Sequence, residues 1–73
     1  MKEQTLGQKR VKASFNPEGK ELVDQIKNKA AEFIDLVEQL RPEAGEERLR
    51  QIEEAQTCVE TGCMYAVKAC FTD

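Results

Sequence analysis

The sequence predicts an all-α fold, an antiparallel two-helix hairpin with a short N-terminal arm that assembles into a compact homo-oligomer. Three observations carry that prediction. Apolar residues recur three and four positions apart in two long stretches. A proline and a glycine break the period once, between the stretches. The second stretch carries small side chains over an arc too broad for one partner helix to cover.

Residues 1–13 follow neither helical nor strand periodicity and are expected to form a flexible or extended arm, leaving 14–73 as the hairpin domain. In "SFNPEGKELVDQIKNKAAEFIDLVEQL", Asn16 suits an N-cap, Pro17 the first helical position and Glu18 the positive end of the helix dipole. The first helix is therefore expected to start there. Its apolar stripe is Val23, Ile26, Ala30, Phe33, Val37 and Leu40, widened by Leu22 and Ile34. Pro42 and Gly45 in "RPEAGEE" mark a turn, and a short turn folds two helices back antiparallel. The second helix is expected from about Glu43 or Glu46 to about Cys70. It has one stripe of Leu49, Ile52, Gln56, Val59, Cys63, Ala66 and Cys70, and a second of Ala55, Cys58, Gly62, Tyr65 and Ala69. Gly62 costs about 1 kcal/mol relative to Ala in a helix interior, which predicts close approach of another helix there.

A chain of 73 residues buries a small share of its surface and needs a disulfide, a metal or self-association. Cys58, Cys63 and Cys70 are odd in number, and their spacing along one helix does not give disulfide geometry. Without His or a C-x-x-C pair a zinc site lacks its usual ligands, so self-association is the remaining aid. No apolar run approaches the roughly 20 residues that span a bilayer, and no secretory leader is visible. The host cytoplasm is the expected location, with no membrane partner. A net charge of −3 argues against a DNA partner, while the cluster Lys9, Arg10 and Lys12 permits a local anion site.

Catalysis would need a nucleophile with a base, a carboxylate pair in a cleft, or a metal, and none of these is evident; no enzyme activity, metal or cofactor is expected. Some groups do suit a nucleotide: Phe15 for stacking on a base, and Lys27, Arg48, Arg50 and Lys68 for phosphate. Each has a plainer alternative, Phe15 as a hydrophobic staple at the helix entry and the cations as solvated surface charges.

The ordered combination of these residues resembles the helical-hairpin sponge family of bacteriophages. In the first half the resemblance rests on an aromatic before Asn-Pro, then Val23, Ile26-Lys27 and an Ala-rich stretch ending near Ile34-Asp35. In the second half it rests on Arg50, Thr57, Glu60, Met64-Tyr65-Ala66, Lys68 and Ala69. Nearly the whole chain from Arg10 onward is covered.

The resemblance implies a hairpin that forms a homohexamer and binds cyclic oligonucleotide messengers of CBASS immunity without cleaving them. Implied ligand-binding residues are Phe15, stacking on a base, and Lys27, contacting phosphate, with Arg50 and Thr57 as further positions. Phe15 stands where dinucleotide binders of the family carry Tyr, which keeps the stacking face and removes a hydroxyl. The alternatives are a sponge for cyclic ADP-ribose-type Thoeris signals and a coiled-coil module that binds a host protein.

Overall fold

A computed structural model describes residues 3–73; Met1 and Lys2, the start of the expected arm, lie outside the described residues. The chain forms three helices, α1 (Leu6–Arg10), α2 (Glu21–Glu38) and α3 (Glu46–Ala69), and no strand is found among the described residues. Helices α2 and α3 make the expected antiparallel hairpin. Lys20, at the start of α2, meets the C-terminus of α3, donating to the Cys70 carbonyl at 2.9 Å and lying 4.3 Å from the Phe71 ring centroid. At the opposite end Arg41 pairs with Glu53 of α3 at 3.4 Å.

The expected arm is corrected over residues 6–10, which are helical. Thr5 accepts from the Gln8 amide while the Gln8 side chain accepts from the Thr5 amide, a reciprocal cap that satisfies two donors at the start of α1. At its end Lys12 adopts a positive φ of 54°, the Lys12 amide reaches the Lys9 carbonyl and the Ala13 amide reaches the Gln8 carbonyl. This is the Schellman arrangement that terminates a helix. So short a helix is not stable alone; it persists because Gly7 and Val11 are buried against the hairpin.

The start of α2 also differs from expectation. The Asn16–Pro17–Glu18–Gly19 stretch forms a turn closed by the Gly19 amide donating to the Asn16 carbonyl, with Gly19 at φ +63°. Proline in second position and a left-handed glycine serve a turn as well as they serve a helix start. Helix α2 therefore begins at Glu21 after Lys20, and Asn16 instead braces the entry through its side chain, which bonds the Lys20 amide, the Lys20 carbonyl and Asp24. The second turn matches expectation with one change of detail: in Arg41–Ala44 the left-handed residue is Glu43 at φ 63°, while Gly45 is extended and serves as the N-cap of α3.

The core is small: Val11, Ala31, Ile34 and Cys63 form its centre, with Val23 and Ile52 also buried. The first stripe of α3 faces inward as expected. On α2 the buried line runs through Val23, Lys27, Ala31 and Ile34, so Phe33, Leu40 and Leu22 of the expected stripe are exposed. The rotation follows from α1, which lies against the Ala31 side of α2. A Cβ on Gly7 would sit 2.2 Å from the Ala31 carbonyl oxygen, so the helices touch backbone to backbone there. Close approach is thus at Gly7; at Gly62, among the described residues, nothing beyond its chain neighbours and its own helix backbone lies within 4 Å of a Cβ position.

All three helices meet on one fully buried side chain. The Gln56 amide nitrogen donates to the Ile34 carbonyl at 3.1 Å and to Glu38 at 2.9 Å, and its oxygen accepts from Arg10 at 3.3 Å and Arg41 at 3.1 Å. Among the described residues no buried side-chain polar atom lacks a partner. A polar group at a core position of α3 is tolerable because every one of its bonding positions is met.

Candidate ligand-binding site

The α1–α2 connection must place several backbone carbonyls near the core without helical partners. Lys27 meets that need. Projecting from the buried face of α2 and only 5% exposed, its ammonium donates to the Lys12 carbonyl at 2.9 Å and to the Phe15 carbonyl. The Phe15 ring centroid lies 5.5 Å from the same ammonium, within cation–π range, and Phe15 remains 64% exposed. A flat aromatic face is therefore available beside a fixed positive charge.

Lys27 also lines a cleft of about 530 Å³ between the end of α1 and the C-terminal half of α3. Its apolar surface comes from Val11, Cys63, Met64 and Val67. Its charged lining is Arg10, Lys12, Lys27 and Lys68 with a single carboxylate, Glu60. An apolar surface with convergent cations suits a ligand that combines a flat ring system with phosphate. Arg10 is held by α3: its Nε donates to Glu60 at 2.6 Å, and its other two nitrogens donate to Gln56 and to the Thr57 hydroxyl, each at 3.3 Å.

The four residues implied by resemblance fall into two places. Phe15 and Lys27 come together, and of the two Lys27 lines the cleft. Arg50 and Thr57 share a separate shallow depression of about 240 Å³ on α3, lined also by Cys58 and two glutamates. Arg50 is engaged by Glu47 through bonds of 2.9 and 2.8 Å; this pairing raises the Arg50 pKa and lowers that of Glu47. Thr57 reaches the cleft only indirectly, through Arg10. Arg10, Lys12, Met64 and Glu60 enter the site because α1 folds back, and the clue to that was the Thr5-x-x-Gln8 pattern of a capping box.

Cys63, which lines the cleft, is not an activated nucleophile. Burial pushes the Cys63 thiol up, with Glu60 adding to the rise and Lys27 opposing it. Among the described residues no cluster of potential metal ligands occurs, and no helix is long and apolar enough to cross a membrane.

Comparison with known proteins finds no match among curated proteins and none among solved structures. The Acb2/Tad1 hairpin domain matches residues 7–71, a span that begins within α1 and ends just beyond α3. The chain therefore belongs to the Acb2/Tad1 hairpin family, the phage hairpin nucleotide-sponge family that its motifs resemble.

Proposed function

We propose that this protein is a phage immune-evasion sponge that binds and sequesters cyclic dinucleotide or trinucleotide messengers of CBASS immunity in the host cytoplasm without cleaving them. The observation that carries the reading is the exposed Phe15 ring beside the ammonium of Lys27, a residue that also lines a cationic, apolar-surfaced cleft. Family membership over residues 7–71 supports it. Sequestration needs a site ordered before the ligand arrives, because ordering then no longer subtracts from affinity. Lys27 supplies that order: the bonds that fix its ammonium also fix the loop that carries Phe15. No step of bond cleavage is part of this reading.

The protein acts as a homo-oligomer, a hexamer by family resemblance. Support comes from the exposed side of the hairpin. The chain is a thin slab, 43 × 32 × 12 Å in its Cα extents, and so leaves one face of each long helix uncovered. Leu22, Phe33 and Leu36 on α2 and Leu40 just beyond its end lie exposed at heptad-related spacing, and Tyr65 lies exposed on α3. The small residues Cys58 and Gly62 on that outer side of α3 permit the near approach of another helix, which at Gly62 none of the described residues makes.

The test is retention of cyclic dinucleotides, cyclic trinucleotides and cyclic ADP-ribose isomers by purified protein, with heat release and mass spectrometry of the released ligand. An intact cyclic oligonucleotide is expected. Phe15→Ala should lose retention while changing Tm by no more than about 4 °C, because the side chain is mostly exposed. Retention of none of these compounds by the parent chain would overturn the reading, and a shortened product would make it an enzyme. Lys27 is the less clean probe. Replacing it with Met or Glu strips a donor from two carbonyls and should cost about 2–3 kcal/mol of stability besides any loss of binding.

A further inference from the structure

We propose, on the reading of this cleft as a nucleotide site, that Glu60 sets its charge selectivity, favouring phosphodiesters, which carry one charge each, over terminal phosphates, which carry close to two. The argument rests on which cations in the cleft remain available. Arg10 uses all three of its guanidinium nitrogens on acceptors of α3, one of them Glu60 at 2.6 Å. Lys27 is committed to two backbone carbonyls. Lys12 and Lys68 line the same cleft and have no side-chain acceptor among the described residues.

Two available ammonium groups thus share the cleft with one carboxylate. The Glu60 side chain is 33% exposed, so its charge is felt by a ligand and is not sealed within the protein. A phosphomonoester carries about −1.5 to −2 at neutral pH. Its extra negative charge meets Glu60 in a partly desolvated cleft, where like charges repel more strongly than in water. A cyclic oligonucleotide has no terminal phosphate; the linear form produced by opening its ring has one. Glu60 therefore lowers the affinity of the opened product relative to that of the intact messenger.

The experiment compares cyclic di-AMP, cyclic GMP-AMP and cyclic tri-AMP, each with its linear 5′-phosphorylated form, by equilibrium binding to the parent chain, Glu60→Gln and Arg10→Gln at fixed ionic strength. Shape differences between the two forms are common to all three proteins and cancel when the linear-to-cyclic affinity ratio is compared. Glu60→Gln is expected to raise that ratio about tenfold. Arg10→Gln leaves the carboxylate in place without its partner and should lower it. A ratio that moves less than about twofold in Glu60→Gln, with cyclic binding retained, overturns the proposal and leaves the sponge reading standing. Movement in the same direction in both variants would mean that the Arg10–Glu60 tie acts only on the fold, and also overturns it. Failure of the parent chain to bind either form of all three compounds would overturn the proposal and the sponge reading together.

Discussion

Replacing Gly7 with Ala sets two physical effects against each other with opposite signs. Intrinsic helix preference favours Ala over Gly by about 1 kcal/mol, so an isolated α1 would be stabilised. In the folded chain the added methyl would lie 2.2 Å from the Ala31 carbonyl oxygen and 2.8 Å from both the Ala31 carbonyl carbon and Cα. These are backbone atoms of the middle of α2 and cannot swing aside as a flexible side chain would. Helix α1 must then lift away, straining the bond from the Gly7 amide to Asp35 at 2.8 Å and loosening Val11, which is 6% exposed. Overpacking of this kind costs about 1–3 kcal/mol, and loss of a hydrogen bond to a charged group adds about 1.5–3 kcal/mol where the bond is fully broken. After the helix-preference gain, a net loss of about 2 kcal/mol is expected, which lowers Tm by roughly 8–16 °C in a domain of this size. Circular dichroism at 222 nm, at one protein concentration because self-association moves Tm, measures the shift. Hydrogen exchange should show the amides of residues 7–11 losing protection first. A Tm that is unchanged or raised, with those amides still protected, would refute the backbone contact between α1 and α2.

Three further outcomes follow from single features of the fold. Glu43→Gly removes a left-handed non-glycine residue from the Arg41–Ala44 turn and should stabilise the chain by about 0.5–1 kcal/mol, seen as a higher urea midpoint with unchanged slope. Glu38 is held below the usual carboxylate range, first by its bond from Gln56 and then by Arg41. Its stabilising contribution is therefore complete above the unfolded-state value and is lost as pH falls below about 5 and through the folded-state value. Glu38→Gln should flatten the decline of Tm over that acid range, and parallel curves for the two proteins would count against the pairing. Cys58 is exposed whereas Cys63 is 6% exposed with its thiol pushed up by burial, so alkylation followed by peptide mass mapping should label Cys58 at least about tenfold faster. Protection of Cys58 that disappears on dilution would place it in the contact between copies.

The hairpin itself was legible along the chain. The three-and-four spacing of apolar residues located both long helices, the Pro42–Gly45 break located their connection, and the inward stripe of α3 runs through Ile52, Gln56 and Cys63 as its period indicates. These features follow from local geometry, since helical periodicity and turn chemistry are written in neighbouring residues. Phe15 and Lys27 were named only as two separate ligand contacts implied by resemblance; their contact with each other, and the carbonyl bonds that make Lys27 part of the frame, were not legible in the sequence.

Tertiary structure decided what lay between distant segments. Asn16 and Pro17 fit a helix start and a turn equally well in isolation; the choice went to the turn, and α2 begins at Glu21. Five residues of α1 carry too few apolar side chains to show a period, and their helix exists because Gly7 admits backbone contact with Ala31. That docking turns α2 so that Lys27 and Ala31 face inward, and it brings Arg10 across 50 residues of sequence to Glu60. A cleft with four cations and one carboxylate is a property of that meeting, because charges from separate segments act together only when folding reduces their separation to a few ångströms.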